Sequence, residues 1–362
     1  MKYIIAPLLI SLANAGDCDY KPGNDVTDHS KSAVDALKLK EAVNAGDTEK
    51  AMEIYTNPTT RSSKKPQDMA TKDWAGAGAP DDIYQDYVAV LGENFLDGYN
   101  IDAINCSGQF EGQSSDICKI AAVKNALCTS LSYAFYEFAK SGGDAGSEKN
   151  WDEGFAFWHG LYDEEIDGVE LGSNSAAAVQ SSRDSNYKTD HKGETCQRIK
   201  NGQDKDKAAK KKELDGIAAS IAATFSQATL KYAAEMLQGE DQALIDKKWG
   251  EGYTYFRCGA GLMDKDLAMY IEENFSPLTN EKMTDDTVLC GIASKMAETK
   301  DLGYGISMGD LQLTNFETLA DLETRCSITI PVATMELADS SSAIKSAGLI
   351  AVGAIAAVIA LV

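Results

Sequence analysis

Two stretches of the chain carry the apolar spacing of long amphipathic helices. In residues 119–140, KIAAVKNALCTSLSYAFYEFAK, apolar side chains recur every three or four positions, which is the period of a helix with one buried face. Residues 217–237, IAASIAATFSQATLKYAAEML, show the same pattern. Alternating strand patterns are scarce and the chain has only 7 prolines. We therefore predict an all-α protein.

A similar tryptophan-led motif follows each predicted helix. The motifs are NWDEGFAFWHG at 150–160 and WGEGYTYFRCG at 249–259. When Trp249 is placed on Trp151, Glu251 falls on Glu153, and a glycine and three aromatic positions also coincide. The pattern indicates an internal repeat, whereas a general bias of the composition toward alanine and glutamate is the alternative explanation.

Two shorter segments extend this similarity. AGDTEKAMEIYTNP (45–58) and DKDLAMYIEENFSP (264–277) both indicate a short helix with an Ala-Met core that ends near a proline. We predict a helical bundle of two pseudo-repeated halves, at residues 31–165 and 213–325. The polar residues 166–212, which are poor in large apolar side chains, are predicted to connect the halves.

Both ends of the chain have the composition of targeting segments. Residues 1–15, MKYIIAPLLISLANA, have a basic start, a short apolar core and a small-residue cleavage site, which is typical of a secretory signal peptide. Residues 340–362 begin with small residues and end in an uninterrupted apolar run, which predicts a GPI-attachment signal. A retained C-terminal membrane helix is the alternative. Both the GPI anchor and the membrane helix would place the protein at the outer cell surface.

The number of cysteines is also consistent with a secreted protein. An even number of cysteines in a secreted chain predicts a disulfide framework, here of four bridges, and the spacing does not decide their pairing. No Cys-x-x-Cys motif is present, which argues against a zinc ribbon. Two sequons, at Asn105 and Asn274, are compatible with glycosylation. The eight cysteines are Cys18, Cys106, Cys118, Cys128, Cys196, Cys258, Cys290 and Cys326.

Composition and motifs narrow the class of function. A net charge of −22 argues against nucleic-acid binding, which needs a basic surface. No Gly-x-Ser-x-Gly or His-Glu-x-x-His motif occurs, so we do not predict an enzyme. With only 3 histidines, a copper, zinc or haem site built from imidazoles is not expected.

Glutamates on facing helices are the strongest candidate chemistry. Such carboxylates, projected inward, form iron and manganese sites in helical bundles, and phenolate oxygens also suit ferric iron. The alternative for Glu153 is a solvated acid at a helix start, where the helix dipole favours it. Asp152 and His159 have no counterpart in the second motif and are weaker candidates. The predicted metal ligands are Glu137, Glu153, Glu235 and Glu251, with Tyr253 and Tyr255.

The first motif also carries a family resemblance. WDEGFAFWHG, after an Ala-rich helix and a Gly-rich loop, resembles the Trp-Asp-Glu-[Ala/Gly]-x-Ala-Phe-Tyr signature of algal iron-assimilation proteins. These are the low-iron-inducible and high-CO2-inducible extracellular proteins of green algae and their relatives. AMEIYTNP, KKWGEGYTYFRCGAGLM and LGYGISMGDL are similar to other segments of that family, and the similarity covers about residues 35–315.

The resemblance implies extracellular iron binding or delivery rather than catalysis. It implies that Glu153 and Glu251, with Glu137 and Glu235 on the preceding helices, hold iron as cargo. A separate cell-surface transporter, reductase or oxidase would be the partner. An anchored structural or adhesion protein without a metal site is the alternative function.

Overall fold

The protein is all-helical. The computed structural model describes residues 18–58, 64–160, 165–166, 169–170, 174–238, 241–278, 286–311 and 319–330. The helices are α1 (Thr27–Ser30), α2 (Ser32–Ala45), α3 (Thr48–Thr56), α4 (Pro66–Ala70), α5 (Asp82–Leu91), α6 (Asp97–Asn105), α7 (Ser115–Gly142), α8 (Glu148–His159), α9 (Ala176–Tyr187), α10 (His191–Gly202), α11 (Lys207–Met236), α12 (Gln242–Gly259), α13 (Lys265–Phe275), α14 (Thr287–Glu298) and α15 (Leu319–Cys326). Short 3₁₀ turns lie at Gly108–Phe110, Ala260–Leu262 and Met308–Leu311. Two-residue strands, β1 (Glu165–Ile166) and β2 (Val169–Glu170), pair antiparallel.

Four helices form the centre of the bundle. α7 packs against α8 and α11 packs against α12, so that each long helix and the shorter helix after it form a hairpin, and α7 also packs against α12 and α11. Side chains fix where these helices begin: Ser114, Asp206 and Asp241 each accept a hydrogen bond from a backbone N–H in the first turn of α7, α11 and α12. Ser147 and Asn150 form a capping box at α8.

A glycine in each motif allows this close packing. A Cβ atom on Gly154 would lie 2.6 Å from Cδ1 of Phe138, so a side chain there would push α8 away from α7. A Cβ atom on Gly252 would lie 2.8 Å from Cβ of Tyr232 on α11. The recurring glycine therefore has a structural reason, which is the close approach of two helices.

The structure confirms the predicted class and most of the predicted helices. α7 contains residues 119–140, and α3 and α13 lie within the two short segments. α11 begins at Lys207, earlier than predicted. The stretch predicted as a connector contains α9 and α10, which both pack against α11. One continuous hydrophobic core runs through both predicted halves, so the core does not separate them. The division into two repeated halves stays a prediction.

Four disulfides staple the bundle, as the cysteine count predicts. Cys128 on α7 is bonded to Cys258 on α12 and thereby links the two hairpins. The other bridges are Cys18–Cys196, Cys106–Cys118 and Cys290–Cys326. All eight cysteines are paired.

The two predicted targeting segments, residues 1–15 and 340–362, lie outside the described residues. In the part of the chain that the structure does describe, no helix combines the length and apolar character needed to cross a membrane.

Candidate metal centre

Glu137 on α7 and Glu153 on α8 form a buried acid pair. Only 2% of Glu137 and 7% of Glu153 are exposed. Burial and the neighbouring charge of Glu153 raise the pKa of Glu137 to about 7. Asn150, at the start of α8, donates a hydrogen bond of 2.7 Å from Nδ2 to Oε2 of Glu137. The pair therefore lies inside the protein, as the sequence predicts, and not at a solvated helix start.

The two carboxylates of this first pair have different neighbours. Oε1 of Glu153 lies 3.2 Å from Nε2 of His29 and 3.2 Å from Nζ of Lys149. Burial alone would raise the pKa of Glu153, but these two groups hold it below its usual range. Glu153 is thus the charged member of the pair, and Glu137 is the member that takes up a proton most readily.

The N-terminal segment brings His29 to this position. The Tyr20 hydroxyl donates to Oδ1 of Asp152, and Asn24 donates to Oδ2 from its backbone N at 2.9 Å and from Nδ2 at 2.7 Å. Cys18 is bonded to Cys196 on α10. Asp152, a weak candidate ligand in the sequence, therefore anchors the segment that carries the histidine.

The second acid pair contains its own cation. Nζ of Lys248 lies 2.7 Å from Oε2 of Glu235 and 3.6 Å from Oε2 of Glu251. Lys231 lies 3.4 Å from the other oxygen of Glu235. Although burial opposes the charge of Lys248, the hydrogen bond and charge of Glu235 raise its pKa, so the ammonium stays protonated at neutral pH. A lysine thus occupies the place between the carboxylates that a metal ion would take.

The two pairs differ at one helical position. Lys248 and Asn150 are 98 residues apart, the same offset as Trp249 and Trp151. Asn150 donates a hydrogen bond of 2.7 Å to the glutamate of the preceding long helix, and Lys248 forms an ion pair with its counterpart over the same distance. The donor is a neutral amide in the first pair and an ammonium in the second. Lys231 also lies beside Glu235, whereas no described cation forms an ion pair with Glu137, so Glu137 is the glutamate left with uncompensated negative charge when it ionises.

The two predicted tyrosine ligands point away from each other. The Tyr253 hydroxyl donates to Oε1 of Glu272 at 2.8 Å and accepts from Nη1 of Arg257 at 3.2 Å. The Tyr255 hydroxyl accepts a hydrogen bond of 2.9 Å from Nζ of Lys124. Residues two apart on a helix face nearly opposite sides, which explains the separation.

The described residues do not contain a complete metal site of conventional type. No three or more His, Cys, Asp or Glu side chains in these parts of the chain are arranged so that they could hold a metal ion. The first pair nevertheless fits a cation in its chemistry, because Glu137 and Glu153 supply carboxylate oxygens and His29 supplies an imidazole. Tyr133 lies close enough to Glu137 that the carboxylate, together with burial, raises the tyrosine pKa.

Sequence reasoning missed His29 and Lys248. His29 precedes Glu153 by more than a hundred residues and belongs to no motif, so no local pattern links the two. Lys248 directly precedes Trp249. In the alignment of the two motifs, Lys248 falls on Asn150. This difference between a charged and a neutral side chain would have distinguished the two acid pairs.

The raised pKa of Glu137 predicts that the stability of the protein depends on pH. The folded-state pKa of Glu137 is raised, so the protonated carboxyl contributes to the free energy of unfolding. This contribution is fully present below the unfolded pKa, about 4.3, and is lost as the pH rises through about 7. Glu137→Gln should therefore raise the free energy of unfolding of the metal-free protein at pH 8 by about 2 kcal/mol. Near pH 4.5 the difference should be small. Urea unfolding at both pH values measures it.

Glu235→Gln is the matched control for this prediction. The change removes the same charge from a glutamate that forms ion pairs with Lys231 and Lys248, so no gain in stability is expected at pH 8. Identical pH profiles for the Glu137→Gln variant and the wild type would contradict the prediction.

Comparison with known proteins identifies a family. The family described as low iron-inducible periplasmic proteins matches residues 14–237, more than half of the chain. The matched region includes Glu137, Glu153 and Glu235, whereas Glu251 and α12 lie beyond it. No curated protein and no solved structure matches the chain. The resemblance seen in the first motif is thus confirmed, and the chain belongs to the low iron-inducible periplasmic protein family.

Proposed function

We propose that this protein binds iron outside the cell and that the Glu137–Glu153 pair is the binding position. The observation that carries the proposal is the buried Glu137 carboxylate. Among the described residues, no Lys, Arg or His side chain forms an ion pair with it. A buried carboxylate must be protonated, paired or bound to a cation, and the family description links the protein to low iron.

The side chains around this pair suit iron as cargo. Carboxylate oxygens are hard ligands that suit ferric iron, and an imidazole is a common ligand of ferrous iron. A cation bound between Glu137 and Glu153 would displace the proton from Glu137. Binding should therefore release protons and weaken in acid. Lys149 is exposed and can turn away from Glu153 without leaving a buried charge.

The second pair has a structural role in this proposal. Lys231 and Lys248 together already balance the two charges of Glu235 and Glu251, so we infer one iron site in the first half rather than one in each half. Tyr253 and Tyr255 lie outside that site. The bound iron would be concentrated at the cell surface, through a GPI anchor directed by the attachment signal at residues 340–362, for a separate transporter, reductase or oxidase.

Calorimetric titration of the purified protein tests this function. The ligands are ferrous iron under anaerobic conditions and ferric iron supplied as its nitrilotriacetate complex. Glu137→Gln with Glu153→Gln should weaken iron binding by about a hundredfold, because two charged contacts are lost. The matched control, Glu235→Gln with Glu251→Gln, removes the same charge from the second pair and should leave the affinity unchanged.

Each other outcome has a definite meaning. Equal binding by the wild type and the Glu137/Glu153 variant would remove the site assignment. A loss caused by the Glu235/Glu251 variant alone would move the site to the second pair. No saturable iron uptake by the wild type would favour the anchored structural or adhesion protein.

A further inference from the structure

A cavity of about 300 Å³ lies where α2, α7, α9, α11 and α12 meet. The charged side chains that line it are all basic: Lys40, Lys124 and Arg183. Among the described residues, no aspartate or glutamate lines the cavity. Such a lining is unexpected in a protein with a net charge of −22, because a random surface depression would be acidic.

Arg183 is the least satisfied of these cations. Only 5% of the residue is exposed, and its Nε and Nη1 atoms have no hydrogen-bond partner among the residues that the structure describes. Nη2 donates to the hydroxyl of Ser182 at 3.2 Å. A buried guanidinium with two unused donors is costly, and its planar fork matches the two oxygens of a carboxylate or phosphate.

Other donors lie beside this arginine. Lys124 donates to the Tyr255 hydroxyl, and the guanidinium lies 5.6 Å from the ring of Tyr232 and 6.0 Å from that of Tyr255. Burial raises the pKa of both tyrosines to about 12, so their hydroxyls carry protons at neutral pH. The Tyr255 hydroxyl accepts from Lys124, which leaves its own proton for a ligand.

No ion pair of Arg183 is found among the described residues, and the charges near the cavity have partners of their own. Burial and the charge of Arg183 lower the pKa of Lys231, so another cation is close by. The carboxylate that acts on Tyr255 is Glu251, which lies within 3.6 Å of Lys248. The positive charge inside the cavity is therefore left for a bound anion.

Aliphatic side chains form part of the remaining lining, beside the polar residues Asn174, Ser175 and Ser182. Val123, Leu127 and Val179 are among the aliphatic side chains. An apolar surface beside a cluster of cations suits a ligand with a carbon skeleton and acidic groups better than a bare inorganic ion. The volume admits a molecule of about the size of a small dicarboxylic or tricarboxylic acid.

We propose that this cavity binds a small organic anion with two or three carboxylates, held by Arg183, Lys124 and Lys40. The proposal goes beyond iron binding and does not depend on it, because Glu137 and Glu153 are not part of the lining. The guanidinium fork would hold one carboxylate, the lysines another, and the aliphatic side chains would cover the carbon skeleton.

Titration of the metal-free protein with citrate, at constant ionic strength, tests the site. Citrate should bind with a stoichiometry of one. Arg183→Gln should weaken binding by at least about tenfold and Lys124→Gln by several-fold, since each removes a charged donor. Lys211→Gln, an equal charge change at an exposed position of α11, should leave the affinity unchanged. Circular dichroism checks that each variant is folded.

Three results would overturn the proposal. The first is the absence of saturable citrate binding. The second is equal loss of affinity in the Lys211→Gln and Lys124→Gln variants, which would indicate a general charge effect. The third is inorganic phosphate binding as tightly as citrate at this site, which would remove the assignment to an organic carboxylate. Iron binding is measured separately in the same variants, so failure here leaves the iron site unaffected.

Discussion

Replacing Cys18 and Cys196 together with serine should lower the free energy of unfolding by about 5 kcal/mol. The bridge spans 178 residues, and a cross-link that closes a long loop removes more conformational entropy from the unfolded chain than one that closes a short loop. Loss of the bridge also releases the segment that holds His29 against Glu153. Denaturant unfolding under oxidising conditions measures the loss.

Cys106→Ser with Cys118→Ser is the matched control. This bridge spans only 12 residues, so its removal should cost about 3 kcal/mol. The long-loop variant should also bind iron more weakly, whereas the short-loop variant should bind like the wild type. A larger loss of stability from the short bridge would contradict the loop-length argument.

Trp151→Ala should lower the free energy of unfolding by about 4 kcal/mol. The indole is fully buried, packs edge-on against Phe138 at 4.8 Å, and donates from Nε1 to the carbonyl of Ile199 at 2.8 Å. It also lies so close to Gly202 that a Cβ atom there would be 2.1 Å from the ring. The change therefore leaves a large cavity and an unpaired buried carbonyl.

Two further variants separate these contributions. Trp151→Phe keeps most of the ring volume and should cost less than half as much. Met269→Ala removes an apolar side chain that is 47% exposed and should change stability little. Trp249, whose indole donates to the carbonyl of Phe275 at 2.7 Å, should behave like Trp151. A loss of less than 1 kcal/mol at Trp151 would contradict the packing seen here.

The sequence predicted the helices whose buried faces carry large apolar side chains. α7 and α11 follow directly from the spacing of their leucine, isoleucine and phenylalanine side chains. α9 and α10 were missed because their buried faces carry few large apolar residues and many small or hydrogen-bonding ones. Gln180 on α9, for example, accepts a hydrogen bond from Nε1 of Trp158 and donates to Oγ1 of Thr195. Such faces give a weak hydrophobic period although they are fully packed.

Only those parts of the candidate site that depend on local sequence pattern could be predicted. The inward direction of Glu137 and Glu153 followed from their positions beside apolar residues on two neighbouring helices. The contact of Glu153 with His29 depends on the tertiary path of the N-terminal segment, which no local pattern encodes. The difference between the two acid pairs depends on Lys248, whose long side chain can reach either solvent or a buried carboxylate.

The bridge that holds the N-terminal segment also sets an order on oxidative maturation. Three other cysteines, Cys106, Cys118 and Cys128, emerge from the ribosome between Cys18 and Cys196. The Cys18–Cys196 bridge also interleaves with Cys128–Cys258 along the chain. Pairing of successive thiols as they appear would give the wrong bonds, and thiol–disulfide exchange would then be needed to correct them. The covalent link that fastens the segment carrying His29 can therefore close only after Cys196 has been synthesised, in a compartment that oxidises thiols.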